Sequence, residues 1–452
     1  MGTLRAVSAP SPKVSVYFHS LGCPKNRLDT EVMLGSLALE GYAIAERLED
    51  ADAVVVNTCS FIESAREESI QAILDMADRR ESGALRALLV AGCLPQRYGA
   101  ELAKELPEVD AFLGTGTFPE VGAVLHDALE GRSRGVYVEA GHTHLYDEHS
   151  PRILIGPTHT AYVKISEGCD RVCAFCAIPG IRGRFQSRTP ESVVAEARQL
   201  AESGAREINL VAQDATAFGK DLPGRPGLAA LLRALDEVEG LDWIRQLYLY
   251  PSALSDELIE VLAGSRRVLP YVDVPFQHAS DRMLRAMKRG TTGERQRTLV
   301  ERLREGIPDL TLRTTFIVGF PGETEEDFEE LLDFVRDARF DRLGVFRYSD
   351  EEGTAAYAFE EKVPRAVARE RYRRLTDLQH GIMRETLEGL VGSEARVLVD
   401  EAGPGGVRGR LSSQAPEIDG VVFLKGDAAP GDLVPARITG VREVDLEAER
   451  LR

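Results

Sequence analysis

The sequence contains little of what most catalytic sites are built from. Its 452 residues hold six cysteines, eight histidines and one tryptophan. No apolar run approaches the roughly eighteen residues needed to span a bilayer, so no membrane partner is expected. The opening MGTLRAVSAPSPK has no apolar export core, so a short disordered leader and a cytoplasmic location are expected. A reducing compartment argues against disulfides. Basic charge is also in deficit: 55 Lys and Arg stand against 73 Asp and Glu, a formal charge of −18. That balance disfavours nucleic-acid binding by bulk electrostatics, leaving only a local basic patch for it. It suits a basic protein partner, or it serves solubility alone. With 43% hydrophobic and 28% charged residues, the chain has an ordinary globular composition, and its length suggests two or three domains.

The six cysteines fall into two sets of three. Cys169, Cys173 and Cys176 are spaced CxxxCxxC directly after a strand-like run, AYVKISEG. Soft thiolates so closely spaced on one loop suit three corners of a cubic iron–sulfur cluster, leaving the fourth iron open. A CxxC redox pair would not need Cys169, and a structural zinc would need a fourth ligand near by. The nearest histidine, His159, lies at the far end of the strand. The other set, Cys23, Cys59 and Cys93, is spread through the first hundred residues. Each of these alone reads equally well as a buried core residue. Their placement says more, because each follows a strand-like run: VSVYFHS, ADAVVVNT and RALLVAG. Helical stretches separate these runs, so the pattern is βαβαβ with a parallel sheet, and all three cysteines belong at its carboxyl edge. The segments between them are not self-similar, so they are βα units and not a repeat.

Residues 14–130 therefore form an α/β domain with a parallel sheet. Residues 131–160, rich in Gly, His, Pro and Ser, are expected to link it to the next domain, with His142, His144 and His149 on a surface loop. Residues 161–385 give six strand–helix units: AYVKISEG, EINLVAQD, RQLYLY, YVDVPF, LRTTFIVG and RLGVFRYS, with helices between. Thr189-Pro190-Glu191 reads as a helix start, and Thr324 to Asp327 resembles a capping box. Six such units suggest an open, partial (β/α)6 barrel with its site at the carboxyl ends of the strands. Residues 386–452 hold five short strands broken by Gly, Pro and Asp, the pattern of a small OB-like β-barrel. With eight Lys and Arg against twelve Asp and Glu, this module is acidic, which weakens an RNA-binding role.

This combination resembles the radical S-adenosylmethionine enzymes, whose barrel carries CxxxCxxC with an aromatic, here Phe175, before the last cysteine. The three earlier cysteines and the terminal β-barrel, a TRAM domain, resemble the methylthiotransferase branch. The resemblance runs from about residue 14 to 450. It implies two 4Fe–4S clusters, one on each cysteine set, and S-adenosylmethionine chelated at the open iron of the barrel cluster. It also implies reductive cleavage to a 5′-deoxyadenosyl radical, and sulfur supplied through the N-terminal cluster. Such cofactors carry the hard chemistry, and no persuasive Ser/His/Asp or paired-carboxylate device competes with them.

Beyond the cysteines, Phe175, Gln213, Gly319 and Gly322 are the expected cofactor contacts. The glycines serve equally well as a tight turn, and Asp214 as a helix cap. Arg182, Arg184 and Arg188 either grip a carboxylate or form surface ion pairs. Local wording resembles the group that modifies an aspartate of small-subunit ribosomal protein S-twelve, not the group that modifies isopentenyl-adenosine in tRNA. The segments are Leu21-Gly22-Cys23-Pro24-Lys25-Asn26, Val211-Ala212-Gln213-Asp214-Ala215-Thr216, Gln277-His278-Ala279-Ser280-Asp281 and Ala415-Pro416-Glu417-Ile418-Asp419-Gly420. Ala215 and Phe218 depart from that group's usual Thr and Tyr. A basic ribosomal protein, free or in the assembled subunit, is thus the expected partner, docked by the acidic end domain. An electron donor such as flavodoxin or ferredoxin and a monomeric state are expected with it. The alternatives are the tRNA substrate and a non-catalytic iron–sulfur or zinc protein that binds ribosomes.

Overall fold

Buried β-branched and aliphatic runs without polar alternation demand cover on both faces, and the first sheet shows it. In the computed structural model, which describes residues 14–132, 135–139, 141 and 144–451, six parallel strands pair in the order β2-β1-β3-β4-β5-β6. These are β1 (Ser15–Ser20), β2 (Ala43–Ile44), β3 (Ala53–Thr58), β4 (Ala87–Gly92), β5 (Ala111–Leu113) and β6 (Gly135–Tyr137). Every residue of β3 and β4 is buried, as two-sided burial of a parallel sheet requires. On one face Ile73, Met76 and Leu102 from flanking helices pack against Val54, Val56, Leu88 and Val90. The expected linker, 131–160, contains ordered structure. β6 lies inside it and completes the sheet, and Arg152 and Ile155 are fixed on the buried Glu31 carboxylate. His142 lies outside the described residues, and His144 packs edge-on against Phe118.

The chain divides into two units. The first comprises the residues up to Ile155 together with Gly180–Arg182, and the second comprises Gly156–Pro179 and everything from Gly183 onward. All six expected barrel strands are present in the second. They are β7 (Thr160–Lys164), β10 (Glu207–Val211), β11 (Trp243–Gln246), β12 (Tyr271–Asp273), β13 (Thr311–Val318) and β14 (Arg342–Arg347), with the short β8 (Ser166–Glu167) and β9 (Gln186–Ser187) forming a hairpin-like pair after β7. They form two parallel three-stranded sheets, β11-β10-β7 and β12-β13-β14. A hydrogen bond from Leu249 N to Asp273 O, 2.8 Å, joins the segment beyond β11 to the last residue of β12. The caps read from sequence are in place. Thr189 Oγ1 accepts from Ser192 N at 3.2 Å, and Thr324 and Asp327 form a reciprocal capping box.

The last five strands, β15 (Glu394–Gly403), β16 (Gly406–Arg410), β17 (Val422–Lys425), β18 (Leu433–Arg442) and β19 (Asp445–Arg450), close into a barrel in the order β15-β16-β17-β19-β18. Closure removes the exposed edges of so small a sheet. This barrel is fastened to the amino ends of the larger barrel's strands. Glu207, the first residue of β10, takes Arg245 at 3.1 Å and Arg410 at 2.7 Å. Arg410 also reaches Asp400 at 2.8 Å, and Asp400 in turn meets His159 at 3.0 Å. Arg245 donates to the carbonyls of Ser412, 2.9 Å, and Gln414, 3.1 Å. The Tyr271 hydroxyl donates to Asp419 at 2.5 Å. The segment 415–420, singled out in the sequence for its wording, supplies Asp419 to this floor. Since the cysteine loop lies at the opposite, carboxyl ends of the strands, the end domain does not form the lip of the barrel mouth.

Glu207 and Arg245 are wholly buried, and the Glu207 carboxylate serves both the Arg245 and the Arg410 guanidinium groups. Removing one member of a buried ion network strands the others, at a cost of about 3–5 kcal/mol. Glu207→Gln should destabilise the second unit by that order, read as a lower denaturation midpoint.

Candidate cluster-binding sites

Parallel pairing brings the carboxyl ends of β1, β3 and β4 side by side, so the loops carrying Cys23, Cys59 and Cys93 share one edge. Cys23 is the residue before the helix Pro24–Leu39, with Pro at the first helical position, where no amide donor is lost. Cys93 opens the helix Cys93–Glu105. Cys59 is held by Ser69, whose Oγ accepts from Cys59 N at 3.0 Å and donates to Cys59 O at 2.9 Å. Ser60 Oγ donates to Cys93 O at 3.1 Å. Arg182, fully buried, places Nη1 on Asp29 at 2.6 Å, and Nη2 on Asn26 at 3.0 Å and Cys93 Sγ at 3.3 Å.

The three thiols lie close enough to act on one another electrostatically. Burial pushes Cys59 up to about 12, and the nearby Cys93 and Cys23 add to the rise. Burial likewise raises Cys93; Arg182 opposes the rise and Cys23 reinforces it. These thiols are kept protonated by their surroundings, and a thiophilic metal centre would displace their protons.

In the second unit the CxxxCxxC loop leaves β8 through Gly168, whose φ is +78°. A Cβ there would lie 2.1 Å from the Arg184 carbonyl oxygen, so only glycine passes. Cys169 N donates to Gly183 O at 3.1 Å, Ala174 N to Met287 O at 3.0 Å, and Ala356 N to Ala174 O at 2.8 Å. The loop is thereby pinned on both sides. Arg289 Nη1 donates to Cys173 Sγ at 3.2 Å, and Arg171 N to Cys169 Sγ at 3.4 Å. Burial raises Cys169, with a contribution from Cys173. Burial pushes Cys176 up to about 12, with Cys173 and Cys169 adding to it. Both sets fit a polynuclear cluster: three soft donors, mutually near, each set on its own loops. Among the described residues no group of three or more His, Cys, Asp and Glu is placed to hold a single metal ion.

The other expected contacts are placed less uniformly. Gln213, just beyond β10, donates to Glu167, which also takes Lys164 Nζ at 2.5 Å; Gln213 Oε1 is buried with no partner. Phe175 packs on the apolar group of Ala174, Met283, Met287, Phe320 and Ala356. Gly319, φ +74°, receives Ala368 of the helix Arg365–Gly389 where its Cβ would be, at 2.6 Å, and its amide donates to Glu323. Gly322 N donates to Glu361 O at 2.7 Å. Of the three arginines, Arg182 and Arg188 are buried, not surface pairs. Arg188 engages Glu196, Ser192 and the Lys164 carbonyl. Arg184 is exposed beside Asp170. Asp214 takes Arg171 Nε at 2.7 Å and Thr216 Oγ1, so it makes an ion pair where a helix cap was the plainer expectation.

Sequence reading did not single out Arg171, Tyr250, Gln277 or Arg289 as site residues. Near the carboxyl ends of the barrel strands, Ser166 Oγ, Arg171 Nη2, Gln213 Oε1, Gln277 Oε1 and Arg289 Nε are all buried without a hydrogen-bond partner. So many orphaned polar atoms together are uncommon in a finished core and fit a place for a polar ligand. A positive φ of 74° at Gln277 marks the same region. Tyr248, φ 64°, and Lys288, φ 56°, share that backbone state near by, and none of the three is visible in sequence.

Comparison with known proteins decides the family. The chain is 50% identical over 442 residues to the ribosomal protein uS12 methylthiotransferase RimO of Myxococcus xanthus strain DK1622, covering 97% of this chain and 92% of that protein. This chain belongs to the RimO family. It is also 49% identical over 441 residues to the RimO of Geobacter sulfurreducens, covering 97% of this chain and 98% of that protein. Residues 15–114 match the Uncharacterized protein family UPF0004, 163–335 the Radical SAM superfamily and 391–451 the TRAM domain. The fold is shared with the radical S-adenosylmethionine methyltransferase TsrM from Kitasatospora setae, solved with cobalamin and a [4Fe-4S] cluster bound. There the TM-score is 0.53 and identity 17%, over 74% of this chain and 75% of that one. A second TsrM structure, with tryptophan and a SAM analogue, gives a TM-score of 0.56 at 15% identity, over 87% and 79% of the two chains.

The raised thiols have a consequence for the metal-free protein. A group with a folded pKa above its unfolded value stabilises the fold below the unfolded pKa and loses that contribution as pH rises through the folded one. From the ordinary cysteine value of 9.0 toward about 12, the metal-free protein should lose stability. Thermal unfolding followed from about pH 9 toward about pH 12 should show a falling midpoint that changing Cys59 and Cys176 to Ala diminishes.

Proposed function

We infer that this protein is a radical S-adenosylmethionine methylthiotransferase that inserts sulfur and a methyl group at the β-carbon of an aspartate of ribosomal protein uS12. The observation that carries the reading is full-length identity of about half to RimO proteins, joined to two separate thiol triads at the carboxyl edges of parallel strands. Its cofactors are two 4Fe–4S clusters, held by Cys23, Cys59 and Cys93 and by Cys169, Cys173 and Cys176, and S-adenosylmethionine. Bound in the barrel, these groups supply one-electron cleavage of a sulfonium and hydrogen abstraction from an unactivated carbon.

The chain's own residues hold, orient and shield. The three cysteines of each set replace protons with iron. Gln213, with a spare buried oxygen, is the residue proposed to meet S-adenosylmethionine. Glu167 fixes its amide, and Lys164 fixes Glu167. Gly319 and Gly322 form a turn under the mouth, while Phe175 closes the apolar wall beside the cysteine loop and keeps water out. A flavodoxin- or ferredoxin-like donor, a monomeric state and a cytoplasmic location belong to this proposal. Among the described residues no helix is long and apolar enough to cross a membrane. The acidic chain, −18 overall, complements a basic ribosomal protein, so productive binding should weaken as salt screens the rim.

Anaerobically prepared protein should carry about eight irons, two cubic clusters. Changing Cys169, Cys173 and Cys176 to Ala should halve the iron and abolish 5′-deoxyadenosine formation. The same change at Cys23, Cys59 and Cys93 should also halve the iron, but leave cleavage while stopping sulfur insertion. Stoichiometric zinc in place of iron, or equal loss of cleavage in both folded variants, would contradict these roles.

The substrate is decided by mass spectrometry. Incubated with reductant, S-adenosylmethionine and a sulfur source, uS12 should gain the mass of CH2S on one aspartate, and isopentenyl-modified tRNA should gain nothing. The reverse outcome would transfer the activity to tRNA. No modification of either, with no S-adenosylmethionine cleavage, would favour a non-catalytic iron–sulfur protein.

A further inference from the structure

Each thiol triad has one buried guanidinium on a cysteine sulfur, and the two are electrostatically unlike. Arg182, on Cys93, is paired with Asp29 at 2.6 Å, so its charge is cancelled. Arg289, on Cys173, is 5% exposed and has no carboxylate partner among the described residues. Its fixings are neutral apart from the sulfur. Nη2 donates to the Pro275 carbonyl at 2.7 Å, and the group lies over the Tyr250 ring, 4.4 Å from the centroid. The Tyr250 hydroxyl donates to the Arg289 carbonyl at 2.7 Å. The ring also takes Arg171 at 3.7 Å, but Asp214 cancels that second charge. One net positive charge, locked in position, therefore faces the barrel triad.

We propose that Arg289 is a positioning residue that sets the reduction potential of the cluster on Cys169, Cys173 and Cys176, through its N–H···S contact to Cys173 and its uncancelled charge. The inference rests on the cluster reading of that triad. Guanidinium stays protonated under all working conditions. A cluster that gains an electron becomes more negative, so a fixed cation and a donor on its thiolate favour the reduced state and raise the potential. Burial in a medium of low dielectric strengthens both effects. Tyr250 and Pro275 hold the guanidinium where it is, so the effect does not depend on the side chain finding its place at the moment of reduction. A purely structural arginine, bridging the segments at 275 and 289, would leave the potential alone.

The test uses full-length protein with Cys23, Cys59 and Cys93 changed to Ala, so that only the barrel cluster gives a signal. Potentiometric titration followed by electron paramagnetic resonance reads its midpoint. Arg289→Met should make the reduced cluster at least tenfold rarer at a given potential, a downward shift of about 59 mV for a one-electron couple. Arg289→Lys, which keeps the charge on a different geometry, should shift it less. An unchanged midpoint in a cluster-loaded Met variant overturns the proposal and leaves the cluster reading standing. Absence of iron in the parent protein overturns both. Should the Met variant fail to load, the parent decides. Grown with guanidino-15N arginine, its reduced cluster should show nitrogen coupling through the hydrogen bond, and a spectrum without it overturns the proposal.

Discussion

Both sites depend on parallel strand pairing. In a parallel sheet all carboxyl ends lie along one edge, so residues far apart in sequence arrive together without any long-range device of their own. Cys23, Cys59 and Cys93 are brought together solely by the pairing of β1 with β3 and β3 with β4. The same rule puts the loop after β8, Gln213 after β10 and Gln277 after β12 at one end of the larger barrel. Without that polarity the six cysteines would be scattered core residues.

The second constraint is burial of groups that prefer water. Thiols buried so deeply are weak acids, and that is a poor state for a free nucleophile but a suitable one for a metal ligand. Around them stand buried arginines, each held by ring, carbonyl or carboxylate. Such groups are costly to bury. Here that cost fixes geometry: Arg182 and Arg289 each reach a cysteine sulfur while their other nitrogens are engaged elsewhere. The floor of the barrel uses the same chemistry in another role, where Glu207, Arg245, Arg410 and Asp400 join two folds into one body.

Much of this was legible in the residues. The strand-then-cysteine pattern gave the N-terminal edge, CxxxCxxC gave the barrel loop, and Thr189 and Thr324 marked their helix starts. What was not legible has a common cause. Arg289 lies 116 residues from Cys173, and nothing local marks it, since arginine is common on helical surfaces. Gln277 takes a positive φ that its residue type does not advertise. Gly319 reads in sequence as a cofactor contact or a tight turn, and the Ala368 that fills the place of its missing Cβ cannot be seen there. β6 was hidden because three residues at a sheet edge carry almost no periodicity. The ion network under the barrel was hidden because its members come from four separate strands and a loop, and each alone reads as a surface charge.

One detail of the connectivity bears on how the protein is made. Arg182, which neutralises Asp29 and caps the sulfur of Cys93, belongs to the first unit, but the chain supplies it only after β7, β8 and the second cysteine motif. Chains emerge from the ribosome in order, and early domains generally fold first. The N-terminal sheet can assemble early, but its thiol pocket stays without its cation until residue 182 has been synthesised. By then all six cysteines exist. The first pocket therefore receives its cation only once every cysteine of the second motif has been made.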